Sequence, residues 1–172
     1  VRQPAVPLQP DTTLSSSVLE LTGTGYLSLP KWLLDQTSYN LQMKLNWQGG
    51  GLSTQTLLEA ATERGERVSV QLVPIDANSF DLRLQFVSRD GVSLSQSVLL
   101  SDTTLTSDVW LDIALLFDDA SKELKITTVP VGGGSAGESA LTIPYATREF
   151  DYDTLDIRVG AAVEGGGTPC KT

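Results

Sequence analysis

Residues 109–117 read Val-Trp-Leu-Asp-Ile-Ala-Leu-Leu-Phe, with Val109, Leu111, Ile113, Leu115 and Phe117 at every second position. Successive side chains of a strand point to opposite faces, so this spacing puts five apolar groups on one face of an extended segment. An α-helix would scatter them round its axis. Asp118-Asp119-Ala120-Ser121 follows, and Leu124 and Ile126 resume the alternation. Asp and Ser bond their own backbone in tight turns, so the segment predicts a hairpin with one buried face.

The same period of two recurs on both sides of this hairpin. It runs through Leu41, Met43, Leu45 and Trp47, through Val68, Val70 and Leu72, and through Phe80, Leu82, Leu84 and Phe86. After a turn at Arg89-Asp90-Gly91 it returns at Val92 and Leu94, then at Val98 and Leu100. Asp-Gly between alternating runs is a hairpin signal, because both residues accept positive φ. The glycine-rich insert 131–137 precedes Leu141 and Ile143, and Leu155, Ile157 and Val159 make the last clear strand. Helical spacing competes only at 30–36, where Pro30 opens Lys-Trp-Leu-Leu and predicts a single short turn. Roughly ten strands with frequent turns predict an all-β, two-sheet antiparallel sandwich of the jelly-roll type. Pro4, Pro7 and Pro10 fix φ and remove backbone donors, so residues 1–14 are expected as an extended arm and 15–172 as one domain.

Composition removes whole classes of function. The chain has 172 residues, 12 Lys and Arg against 21 Asp and Glu, a net charge of −9, no His and one Cys. Without His there is no Ser-His-Asp or Cys-His nucleophile pair and no His-ligated zinc. Scattered bases in an acidic chain give nucleic acid little counterion-release gain, so it is not expected as a partner. No apolar stretch reaches membrane-spanning length, so no membrane insertion is expected. The glycine runs lack the Lys-Ser/Thr of a phosphate loop. Asn40, Asn46 and Asn78 lie outside any Asn-x-Ser/Thr sequon.

In order, the strands carry phrases that resemble the laminin G-like branch of the concanavalin A-like lectin and glucanase superfamily. They are GYLSLPKWLLDQTSYNLQMKLNW at 25–47, TLLEA at 56–60, SFDLRLQFVSRDGVSLS at 79–95, LTSDVWLDIALLFDDASKELKIT at 105–127 and LDIRVGAA at 155–162. The resemblance implies a concanavalin A-like sandwich. The sandwich pattern, the absent catalytic residues and the linker-like residues 1–14 lead to the expectation of an extracellular recognition or adhesion module, not an enzyme, that binds a protein or glycan as part of a larger protein. The resemblance also implies an acidic calcium ligand just before the strand holding FDLRL. Ser79 stands there, with Asp76 and Asp81 beside it. Members of the family finish with a strand whose cysteine pairs with an earlier one. Cys170 is therefore expected either to bond a partner outside this chain or to remain a free thiol, and the missing last strand to be supplied by another segment.

Two kinds of residue could carry chemistry. Trp32, Tyr39, Tyr145 and Tyr152 sit off the alternating core positions, which makes them the candidate carbohydrate-stacking residues as well as ordinary rim packing. Asp118 and Asp119 close a hairpin and, with Asp76 and Asp81, are the candidate calcium ligands. The alternative function, glycan hydrolysis, falls on REFDYDTLD at 148–156. If that segment is a strand, Asp151 and Asp153 share a face, and a retaining pair needs carboxyls about 5–5.5 Å apart. The acidic edge could equally be solvated surface, or the whole chain a structural piece of a cell-surface assembly. Trp110 opens a core strand and is expected to pack.

Overall fold

The computed structural model describes residues 26–48, 51–97 and 105–160, and the backbone of short strands outside them. The strands in chain order are β1 (Leu8–Asp11), β2 (Ser16–Leu19), β3 (Leu27–Ser28), β4 (Ser38–Asn46), β5 (Gln55–Ala61), β6 (Arg67–Pro74), β7 (Ser79–Val87) and β8 (Ser93–Ser97). They continue as β9 (Leu99–Leu100), β10 (Leu105–Thr106), β11 (Trp110–Asp118), β12 (Glu123–Pro130), β13 (Gly137–Thr142), β14 (Asp156–Val159) and β15 (Thr168–Pro169). Among the described residues helix is confined to two short 3-10 turns, at Lys31–Leu33 and Thr147–Glu149. Among the described residues no helix is long and apolar enough to cross a membrane.

The strands form two main sheets. The smaller has the order β4-β11-β12-β13-β9, and the larger β10-β7-β6-β5-β14-β3. β8 shares the outer edge of β7 with β10, and β15 runs parallel beside β5. All other pairings are antiparallel, and β1 pairs with β2 as a separate ribbon. The expected junction of arm and domain at 14–15, and Cys170, lie outside the described residues.

Alternation decides how the sheets stack. Leu111, Ile113, Leu115, Phe117, Leu124 and Ile126 of the smaller sheet join Val68, Val70, Leu72, Leu82, Leu84 and Phe86 of the larger in one buried cluster. Face-to-face packing of these inner faces makes a β-sandwich, with area taken from water as its driving force. Trp47 sits edge-on to Phe80 at 5.1 Å between ring centroids. β5 departs from the pattern: all seven of its residues are buried, the outward-facing Thr56 and Glu59 included.

Both expected hairpin turns form. Gly91 takes φ of 82°, the Gly91 N–H donates to Ser88 O at 2.9 Å, and Lys122 takes φ of 55° in the β11–β12 turn. Residues 131–136 of the glycine-rich insert form the loop between β12 and β13, and Gly137 opens β13 opposite Thr128.

Five connections gather at one end of the sandwich, the β5–β6 turn among them through Glu63 N–H donating to Thr154 Oγ1 at 3.2 Å. The Asp119 N–H donates to Thr37 O at 2.9 Å, Ile143 N–H to Lys122 O at 2.9 Å, and Thr147 Oγ1 to Leu34 O at 3.2 Å. The Arg89 N–H donates to Tyr145 Oη at 2.7 Å, which ties the β7–β8 turn to the same end. The β6–β7 turn lies at the other end, where Ser107 N–H donates to Asn78 O at 2.7 Å.

Candidate functional site

Glu66 holds the loop end together. Its carboxylate is 1% exposed, and Oε2 accepts from Asp151 N–H at 2.9 Å and from Thr62 Oγ1 at 3.1 Å. Oε1 lies 3.0 Å from Arg89 Nη2, an ion pair without an aligned hydrogen bond. Arg89 stacks its guanidinium 4.5 Å from the Tyr145 ring centre and donates through Nη2 to Glu149 O at 3.1 Å. One buried carboxylate therefore fixes the turns at 62–66, 88–92 and 147–155 to one another. A charge so enclosed is tolerated because donors surround it.

The four candidate aromatics separate into two pairs. Tyr39 lies against Phe117 at 5.3 Å, and Tyr145 packs edge-on to Phe86 at 5.7 Å. The Tyr39 hydroxyl is buried without an aligned hydrogen-bond partner among the described residues. Burial raises its pKa well above the usual phenol range, and Thr147 only partly opposes it. Both rings support the core. Trp32 and Tyr152 are 57% and 46% exposed. The 3-10 turn that carries Trp32 docks on the turn that carries Tyr152, because Lys31 Nζ donates to Tyr152 O at 3.1 Å and Asp153 O at 2.8 Å. The same ammonium lies 5.8 Å from the Tyr152 ring centre.

The candidate carboxylates do not converge. Asp76 Oδ1 accepts from Asn78 N–H at 2.8 Å and Ser79 N–H at 2.9 Å at the β6–β7 end, with Asp81 nearby on the outward face of β7. Ser79 and Asn78 hold the Asp76 carboxyl below the usual carboxylate range. Asp118 and Asp119 lie at the opposite end. Asp118 accepts from Ser121 Oγ at 2.8 Å, and Ser121 lowers its pKa. Asp119 pairs with Lys122 and, through Oδ2, with Arg148 Nη2 at 2.8 Å; Lys122 first, then Arg148, holds it below the usual range. Among the described residues no group of three or more His, Cys, Asp or Glu is arranged to hold a metal ion.

Asp151 and Asp153 are not strand neighbours. Residues 152–154 form a turn closed by Leu155 N–H to Asp151 O at 2.9 Å, so the shared-face premise fails. Asp151 Oδ2 accepts from Thr154 Oγ1 at 2.9 Å and meets Arg64 Nε at 3.3 Å, while Asp153 is exposed. Local hydroxyl and carboxylate bonds compete with a strand ladder here, and the turn wins. Trp110 begins β11 opposite Asn46 on the outward face of its sheet and is half-buried. A shallow groove of about 470 Å³ on that face is lined by Asn40, Leu116, Asp118, Glu123 and Lys125. Sequence reasoning missed Lys31, Glu66 and Arg89, which act through contacts far apart in the chain and leave no local pattern.

Fold and loop end together define a two-sheet β-sandwich that presents an exposed aromatic pair on a cross-tied rim. No protein-family model and no curated protein matches the chain. Solved structures do resemble it. Full-length tailspike protein 2 from Escherichia coli O157:H7 bacteriophage CAB120 superposes with a TM-score of 0.63 at 15% identity, over 91% of this chain and 21% of that one. The structure described as the enzymatically active domain of bacteriophage CBA120 tailspike protein 2 gives 0.67 at 17% identity, over 90% of this chain and 24% of that one. The chain thus spans less than a quarter of the length of these tailspike chains, and at such identities the likeness is one of fold.

Proposed function

We propose that this chain is a non-catalytic glycan-recognition module of a larger extracellular protein, with Trp32 and Tyr152 as its stacking platform. The carrying observation is the docking of their two turns through Lys31, which presents two exposed rings from distant parts of the chain on one rim. Aromatic faces stack on the C–H faces of sugar rings, and the neighbouring carbonyls and carboxylates accept sugar hydroxyls. We further assign the sandwich to the concanavalin A-like jelly-roll class, laminin G-like in its strand phrases. Non-sequential neighbours such as β4–β11 and β5–β14 support that reading. Among the described residues β4 pairs only with β11, so its other edge is available to a segment of a partner protein.

The test is a glycan array followed by titration of the best hit with wild type, Trp32→Ala and Tyr152→Ala. We expect each variant to lose about tenfold or more in affinity with an unchanged melting temperature, since both rings are exposed. Wild-type binding that survives both substitutions would remove the platform from the account.

Glycan hydrolysis is the second reading, favoured by the likeness to a tailspike domain described as enzymatically active. On this chain it would fall on Asp151 and Asp153, one of which is bonded to Thr154 and Arg64. Turnover of a polysaccharide panel by wild type, abolished in an Asp151→Asn, Asp153→Asn double variant, would establish it over simple binding.

A further inference from the structure

The larger sheet turns a polar face outward, away from the loop rim. Across β6, β7 and β8 the register sets Gln71 beside Arg83 and Arg83 beside Ser97, with Gln85 and Ser95 in the next row and the fully buried Ser69 beneath Gln85 on the β5 side. Gln85 is the hub of this surface. Its Oε1 accepts from Ser69 Oγ and Gln71 Nε2, both at 3.4 Å, and its Nε2 donates to Ser93 Oγ at 3.2 Å. Side-chain amides are thereby held in fixed orientation on a rigid sheet rather than on a loop.

Arg83 stands out by its pairing. Every other described lysine or arginine meets a carboxylate or donates to a backbone carbonyl. Arg83 has neither an ion-pair nor a hydrogen-bond partner among the described residues, although its side chain is half-buried on β7. In a chain with 21 acidic residues and a net charge of −9, any base could find an internal partner cheaply. A half-buried guanidinium left open has lost part of its hydration without compensation, and its planar fork matches a carboxylate in two parallel hydrogen bonds.

The surroundings select the kind of carboxylate. Amides and hydroxyls line the shelf, and among the described residues of β6, β7 and β8 no aromatic or large aliphatic anchor of the sort that dominates protein interfaces lies at its centre. Amide and hydroxyl groups pair with the adjacent hydroxyls of a sugar. Asp81 lies two residues from Arg83 on the same face, and the whole chain is negative, so a dense polyanion meets repulsion. We propose that the outward face of β6, β7 and β8 is a binding site for a sugar chain bearing an isolated carboxylate. Arg83 takes the carboxylate, and Gln71, Gln85 and Ser97 take flanking hydroxyls. This site is separate from Trp32 and Tyr152, so either can fail without the other.

Calorimetric titration with 3′-sialyllactose and with a glucuronate-bearing trisaccharide distinguishes the two common sources of such a group, with lactose and a pentaglutamate peptide as controls. The expected result is binding of at least one carboxylated sugar, none by lactose, and a loss of about tenfold or more in Arg83→Gln. Because that variant could misfold, amide chemical shifts of the wild type provide a second readout. The Gln71 and Gln85 side-chain amides should move on adding the sugar that binds. Absence of binding by both carboxylated sugars, equal binding by pentaglutamate, or shifts confined to other faces overturns the proposal.

Discussion

Asp119 shows how one side chain ties the rim. Lys122 and Arg148 reach it from two segments and lower its pKa, so its carboxylate is favoured in the folded state. A carboxyl held below its unfolded value of about 3.9 contributes fully above that pH and loses its contribution as the pH falls through the folded value. Asp119→Asn should therefore lower the melting temperature at pH 7 and flatten its fall below about pH 4. Equal pH profiles for variant and wild type would show that the pair adds nothing. Thr128 carries the opposite kind of defect: its hydroxyl is fully buried in the sandwich with no hydrogen-bond partner among the described residues. Thr128→Val keeps the shape and removes the unsatisfied group, and we expect a gain of about 1 kcal/mol in urea denaturation.

At the level of elements, turns and strands differ in how much of them is written locally. The 118–121 and 89–91 turns were legible because Asp, Ser and Gly have local reasons to be there. Gly91 has open space around its missing Cβ, so only its φ of 82° restricts it. Gly91→Ala should cost about 1 kcal/mol, with Gly91→Asn costing less, both measured by equilibrium unfolding. The carboxylates of REFDYDTLD alternate as on a strand, yet Thr154 and the Asp151 carbonyl close the segment into a turn. The all-buried β5 was harder still, since a strand covered on both faces has no alternation to detect. Glu66→Ala would strand Arg89 and the Asp151 N–H together. We expect a loss of about 2 kcal/mol, below the range for a fully buried pair because Arg89 is half-exposed. Faster hydrogen exchange at Asp151 should accompany it, and unchanged exchange there would show that Glu66 does not secure the Tyr152 turn.

For the whole molecule, the two ends of the sandwich matter more than its net charge. Asp76 and Asp81 lie at the β6–β7 end and Asp118 and Asp119 at the other, and Asp76, Asp118 and Asp119 are each engaged by local donors. Millimolar calcium should therefore shift the melting temperature by less than about 1 °C relative to EDTA, whereas ligand binding at a true site would raise it by mass action. A shift of several degrees would place a calcium site elsewhere in the chain. By itself the sequence determined the all-β class, the two hairpin turns, most of the inward-facing residues and the absence of histidine chemistry. Those properties follow from period-two burial, turn chemistry and composition, which act over a few residues or over the total. Tertiary structure alone decided which aromatics reach solvent, that Lys31 joins the Trp32 turn to the Tyr152 turn, that Glu66 meets Arg89, and that Arg83 has no partner among the described residues. Each depends on side chains brought together by strand order and sheet stacking, and no local spacing encodes the distance between residues that meet only when the sheets close on their shared core.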